Sequence, residues 1–134
     1  MPAKRVLVDT SVWIEYLRDS QHPSGPDLRH WLETGRVCST GLILGELTQG
    51  ARGENDLLAI EALFAATKPL NPTVRTWRQA GILSAKLRKK GITIHLFDCL
   101  LAVLAVENAA ALISYDRHFK LIATHYPLEL TADI

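Results

Sequence analysis

Three consecutive apolar residues, Val6, Leu7 and Val8, run directly into Asp9, Thr10 and Ser11, and this stretch restricts the fold more than any other in the chain. A short run this apolar, ended by a carboxylate and two hydroxyls, predicts a parallel strand covered on both faces. Ligands of such sheets gather beyond the carboxyl ends of the strands, which puts Asp9 at a candidate site. Taken alone, Asp9, Thr10 or Ser11 reads more simply as the cap of the next helix. Partners elsewhere in the chain have to decide between the two.

A matching stretch lies near the other end. Ala111, Leu112, Ile113 and Ser114 predict a second buried strand, and it too ends in an acid, Tyr115 being followed by Asp116. Between the two, helical spacing recurs. Val12, Trp13, Tyr16 and Leu17 predict a short first helix, broken at His22, Pro23, Ser24 and Gly25. Leu28, Trp31 and Leu32 mark a second helix, with Gly35 where a left-handed cap is common, and Arg36 to Ser39 a short strand. Leu57, Ile60, Leu63 and Phe64 give a fourth helix, closed by Thr67, Lys68 and Pro69. Asn71, Pro72 and Thr73 open a fifth, whose inner side is predicted at Val74, Trp77, Ala80 or Gly81, Ser84 and Leu87, with Gly91 beyond its end. Leu128 to Leu130 suggest a last edge strand. The expected architecture is α/β, a short, mostly parallel sheet flanked by helices, in a single domain spanning residues 1–134.

Two further acids sit on predicted helices. Thr40 can cap a third helix whose apolar face carries Leu42, Ile43 and Leu47, with Gly50 extending it, and Glu46 falls on that face. An inward Glu needs a partner, either a basic side chain or a metal. The helix from Phe97 to Glu107 is apolar around its whole circumference and should be packed on several sides, with Asn108 ending it. Asp98 enters at its first turn, where an Asp ordinarily serves orphan amides.

Composition excludes several functions. A formal net charge of +1 announces no general binder of polyanions, so contact with nucleic acid must come from a local cluster. Lys86, Arg88, Lys89 and Lys90 form the one dense cluster, readable as a solvated helix end or as a phosphate-tracking surface. Cys38 and Cys99 lack metal-type spacing and fit buried thiols of a cytoplasmic protein. The most apolar run, Phe97 to Val106, contains Asp98 and is half of the roughly 20 residues a membrane span needs. There is no phosphate-binding G-x-x-x-x-G-K-[ST] loop, no H-E-x-x-H helix and no G-x-S-x-G elbow.

Asp9, Glu46, Asp98 and Asp116 can therefore converge at one sheet edge. Converging carboxylates repel one another without a cation, which points to a hard divalent ion, magnesium or manganese. Such an ion polarises a phosphodiester and lowers the pKa of an attacking water, the chemistry of nucleic-acid hydrolysis.

Val8-Asp9-Thr10-Ser11, Leu44-Gly45-Glu46-Leu47 through Gly50, Phe97-Asp98-Cys99-Leu100-Leu101-Ala102 and Ser114-Tyr115-Asp116 with Phe119 together resemble the PIN-domain ribonucleases, and among them the VapC-type toxins of toxin-antitoxin pairs. The resemblance covers nearly the whole chain. It implies a three-layer PIN-like fold and a metal-dependent endoribonuclease that leaves a 5′-phosphate. Asp9, Glu46, Asp98 and Asp116 would be the catalytic, metal-binding set, with Ser11 supporting it. It also implies an RNA substrate, a small VapB-like antitoxin and a homodimer. Ser114 stands where members often have Thr, and His118 where many have a further acid, which makes His118 a candidate modulator of a second metal position. If Ser114 to Phe119 is extended, His118 should face the pocket with Asp116; in a helical turn the two should diverge.

Other classes compete with this reading. A phosphotransferase using Asp9 as nucleophile would want an acid at position 11, where Ser11 stands. A non-toxin RNA-processing nuclease, or a non-catalytic binding domain on the same fold, would share the architecture.

Overall fold

The computed structural model describes residues 4–18 and 25–131. The expected break at His22, Pro23 and Ser24 lies outside them, while Gly25 opens a helix rather than ending one. In chain order the elements are β1 (Val6–Val8), α1 (Thr10–Arg18), α2 (Gly25–Glu33), β2 (Val37–Ser39), α3 (Gly41–Gln49) and α4 (Glu54–Ala65). They continue with β3 (Lys68–Pro69), α5 (Val74–Lys89), α6 (Leu96–Glu107), β4 (Ala111–Ile113) and α7 (His118–Ala123).

The four strands form a parallel sheet in the order β3-β2-β1-β4. β1 is central and buried on both faces, which is why its sequence is unbroken apolar rather than alternating. From β1 the chain steps to β2 and β3 on one side, then returns to add β4 on the other. Right-handed crossovers in opposite directions put α1–α4 and α5–α6 on opposite faces. The reversal falls between β1 and β4, and the crevice beyond their carboxyl ends is where such a sheet presents its chemistry. Leu130 adds one parallel bridge to Leu112, the trace of the expected final edge strand.

α6 is the central helix of its layer, with every residue from Cys99 to Ala105 buried. Asn108 ends it as expected, donating from Nδ2 to Leu104 O at 2.8 Å. Gly35 and Gly91 adopt φ of +72° and +80°, the left-handed turns their positions after α2 and α5 predict.

Several expectations fail for identifiable reasons. Lys68 and Pro69 do not simply close α4: they pair with Cys38 and Ser39 as the edge strand β3, where a proline is tolerated because one side of the strand has no ladder partner. On α5 the buried stripe is Thr76, Ala80, Leu83 and Leu87, not the one through Val74 and Trp77, which are 86% and 40% exposed. Thr76 can turn inward because its hydroxyl has partners: it closes a capping box with Thr73 and donates to Glu107 Oε2 at 2.9 Å. Leu17 is exposed on α1, and Gly50 is the exposed C-cap of α3 rather than part of its inner face.

Candidate functional site

β1 ends by placing Asp9 in the crevice, where its amide donates to Ile113 O of β4 at 3.0 Å and only 8% of the residue stays exposed. The backbone carbonyl of Asp9 begins α1, accepting from Val12 and Trp13. Its carboxylate does not cap that helix. Oδ2 instead accepts from Ser114 Oγ at 2.6 Å and from Ser11 Oγ at 3.0 Å. Each hydroxyl is aimed by an amide behind it, Tyr115 N donating to Ser11 Oγ and Asp116 N to Ser114 Oγ. Two amide-hydroxyl-carboxylate relays thus tie the ends of β1 and β4 together, and Oδ1 of Asp9 is left without a donor among the described residues.

Asp98 reaches the same place from the first turn of α6. The capping role that a first-turn Asp often takes has gone to His95, whose Nδ1 accepts from Phe97 N at 3.2 Å. Asp98 is half-buried, and its carboxyl is pushed above the ordinary range, first by burial and then by the charges of Asp116 and Asp9, with His118 and His95 opposing. Three carboxylates close enough to disturb one another are therefore present, supplied by β1, α6 and the segment after β4.

Asp116 precedes α7 and folds its side chain over the helix start, Oδ1 accepting from His118 N at 2.9 Å. That local turn removes the choice expected for residue 118. His118 is helical, yet its Nδ1 lies 3.3 Å from Asp116 Oδ1 and 3.6 Å from Asp98 Oδ2. Asp116 lies outside the helix, so the divergence of residues two apart within a helix does not apply. Asp98, Asp116 and His118 each offer one ligand atom, all within 4.8 Å of one another, a donor set that fits a divalent cation.

Glu46 departs from expectation. It is exposed, not directed inward, because the inner face of α3 is narrow and centres on Ile43 and Leu47. Its Oε1 accepts from Thr10 Oγ1 at 2.8 Å, which joins it to the residue next to Asp9. Thr40 occupies the N-cap position of α3, but its buried hydroxyl makes no capping bond. Lys86, Arg88, Lys89 and Lys90 are exposed at the end of α5. Cys38 and Cys99 are buried free thiols, and burial with the nearby Asp98 charge pushes Cys99 up to about 11, unsuited to a nucleophile. Residues that sequence reasoning left out of the site are Ser114, Thr10 and His95. Ser114 carried a signal, a hydroxyl at the end of β4 mirroring those that follow β1.

A family model described as "PIN domain" matches residues 6–124. The VapC ribonuclease Mb1587 of Mycobacterium bovis is 30% identical over 122 residues, covering 88% of this chain and 91% of that protein. Among solved structures, DNA-bound VapBC from Salmonella typhimurium superimposes with a TM-score of 0.78 at 16% identity, covering 96% of this chain and 98% of that one. VapBC2 from Rickettsia felis, bound to a promoter DNA fragment, gives 0.77 at 18% identity, covering 94% and 96%. At those identities the two structures speak for the fold.

Proposed function

The chain belongs to the PIN-domain family and, within it, to the VapC ribonucleases, and on that premise we propose that it is a metal-dependent endoribonuclease acting as the toxin of a toxin-antitoxin pair. The observation that carries the reading is the geometry of the crevice: one ligand atom each from Asp98, Asp116 and His118 within 4.8 Å of one another, with the Asp9 carboxylate near enough for its charge to reach Asp98. Asp98, Asp116 and His118, with the free Oδ1 of Asp9, would hold the ion, and Glu46, bonded to Thr10 next to Asp9, would join them from α3. Magnesium is favoured by the carboxylates, and the imidazole makes manganese equally acceptable. When bound, the ion supplies Lewis-acid polarisation of a phosphate oxygen and a water of lowered pKa.

The chain's own residues do the remainder. Ser11 and Ser114 fix the Asp9 carboxylate in one orientation, which lowers the cost of assembling the site. Asp116 sets the position of His118 through its amide. Glu46, held by Thr10 and open to solvent, would take a proton from a water entering the site. Hydrolysis would leave a 5′-phosphate, and Lys86, Arg88, Lys89 and Lys90 would hold the RNA backbone.

A groove of about 460 Å³ between α1, α3 and α4 is lined by apolar Ile14, Leu17, Leu47 and Ile60 together with the charged Arg18, Glu46, Arg52 and Asp56. It supports an antitoxin that seats an amphipathic segment there and extends over the acids. Exposed Val74 and Trp77 on α5 support self-pairing, which light scattering would test as a dimer mass against a monomer mass. The compartment is the cytoplasm, consistent with two free, buried thiols; among the described residues no helix is long and apolar enough to cross a membrane. Induced expression without a partner should arrest growth; normal growth with abundant, active protein would exclude the toxin role.

A further inference from the structure

We propose that the cavity between α5 and the turn after α7 holds an unpaired nucleotide of the RNA substrate, away from the bond that is cut. The cavity measures about 300 Å³ and combines three kinds of surface. Leu83 and Leu87, 6% and 1% exposed, belong to the core and give it a rigid apolar floor. Tyr126 and His125 form one wall. Lys86, Lys89 and Lys90 line its rim, and Lys90 Nζ approaches His125 Nδ1 to 3.2 Å.

A solvated helix end needs lysines but neither a floor nor an aromatic wall. Single-stranded RNA uses all three, stacking a base on an aromatic ring while ammonium groups track the phosphates. The volume lies at the lower limit for small-ligand pockets and suits one base rather than a helix. Glu107 is the carboxylate whose charge reaches Tyr126, and it accepts from Thr76 Oγ1, which holds it toward the start of α5. Arg88, though part of the same basic run, does not line the cavity.

The cavity is linked to the acids by α7. His118 opens α7 at the carboxylates and His125 lies in the cavity just past the end of that helix, whose six residues rise about 9 Å, so one RNA strand can occupy both. The inference rests on the ribonuclease reading.

Anisotropy of a short, fluorescein-labelled oligoadenylate, measured on the full chain in excess chelator so that nothing is cut, tests it. Tyr126→Leu should weaken binding roughly 5- to 150-fold, the range for loss of one stacked base, and Tyr126→Phe should bind as wild type does. Lys86→Glu combined with Lys90→Glu should weaken binding and flatten its salt dependence, with Arg88→Glu having the smaller effect. In cleavage assays Tyr126→Leu and the lysine pair should raise KM by a larger factor than they lower kcat, and Tyr126→Phe should cut as wild type does. If Tyr126→Leu folds poorly, the lysine pair compared with Arg88→Glu carries the test. A wild-type protein that cuts RNA but is indifferent to these substitutions overturns the cavity and leaves the nuclease reading standing; one that neither binds nor cuts RNA overturns both. Variants that alter self-association but not oligoadenylate binding assign the face to protein contact, and also overturn it.

Discussion

Ser114 Oγ donates to Asp9 Oδ2 at 2.6 Å, so the ends of β4 and β1, 105 residues apart in sequence, are joined by a side-chain bond at the floor of the acidic crevice. Ser114→Ala should cost about 1 kcal/mol of stability, the ordinary net value of one hydrogen bond. It should cost more in function. Groups that orient a metal ligand are worth about 10- to 100-fold in metal affinity, and a loss in that range is expected by calorimetric titration. Ser114→Thr keeps the hydroxyl and should restore binding; equal affinity in wild type and the Ala variant would remove Ser114 from the site.

Asp98 gives a pH dependence with a definite sign. Its folded carboxyl lies above the ordinary range because of burial, Asp116 and Asp9. Its contribution to stability is whole below the unfolded pKa and is lost as pH rises through the folded one. At neutral pH in chelator, Asp98→Asn should therefore melt higher than wild type. Added magnesium or manganese should reverse the order, stabilising wild type by mass action and the variant much less. A variant that melts lower without metal would make Asp98 a structural residue.

Glu46 separates function from stability. It is exposed and bonded to Thr10 alone among the described residues, so Glu46→Gln should change stability by less than about 0.5 kcal/mol. RNA cleavage should nevertheless fall sharply, since the amide cannot take a proton. Cleavage at the wild-type rate would leave Glu46 outside the chemistry.

His118→Asp replaces an imidazole by an oxygen ligand beside Asp98 and Asp116. Magnesium affinity should rise and any preference for manganese should shrink. Identical affinities for both ions in the two proteins would exclude His118 from the metal site.

What the sequence makes legible follows range and burial. β1 and β4 are readable because strands covered on both faces must be continuously apolar, and the acid that ends each run is conspicuous. β3 is not, since Lys68 and Pro69 are exposed and become a strand only by pairing with β2, a non-local contact without local pattern. Glu46 lies outside the buried face because helical spacing locates the centre of a face but not its width, and α3 buries little beyond Ile43 and Leu47. The inner side of α5 shifted because Thr76, polar by type, finds Glu107 only in the folded chain. His118 defied the expected choice because Asp116 folds its own side chain over the helix start, which spacing cannot reveal.

The most direct measurement is cleavage of a structured RNA by purified wild type, Asp9→Asn and Asp98→Asn, with magnesium or manganese and then with chelator, the product ends being identified. The expected result is metal-dependent cutting by wild type that leaves 5′-phosphates, stops with chelator and is lost in both folded variants. Undiminished cutting in excess chelator, or by either variant, would contradict a metal-dependent acidic site.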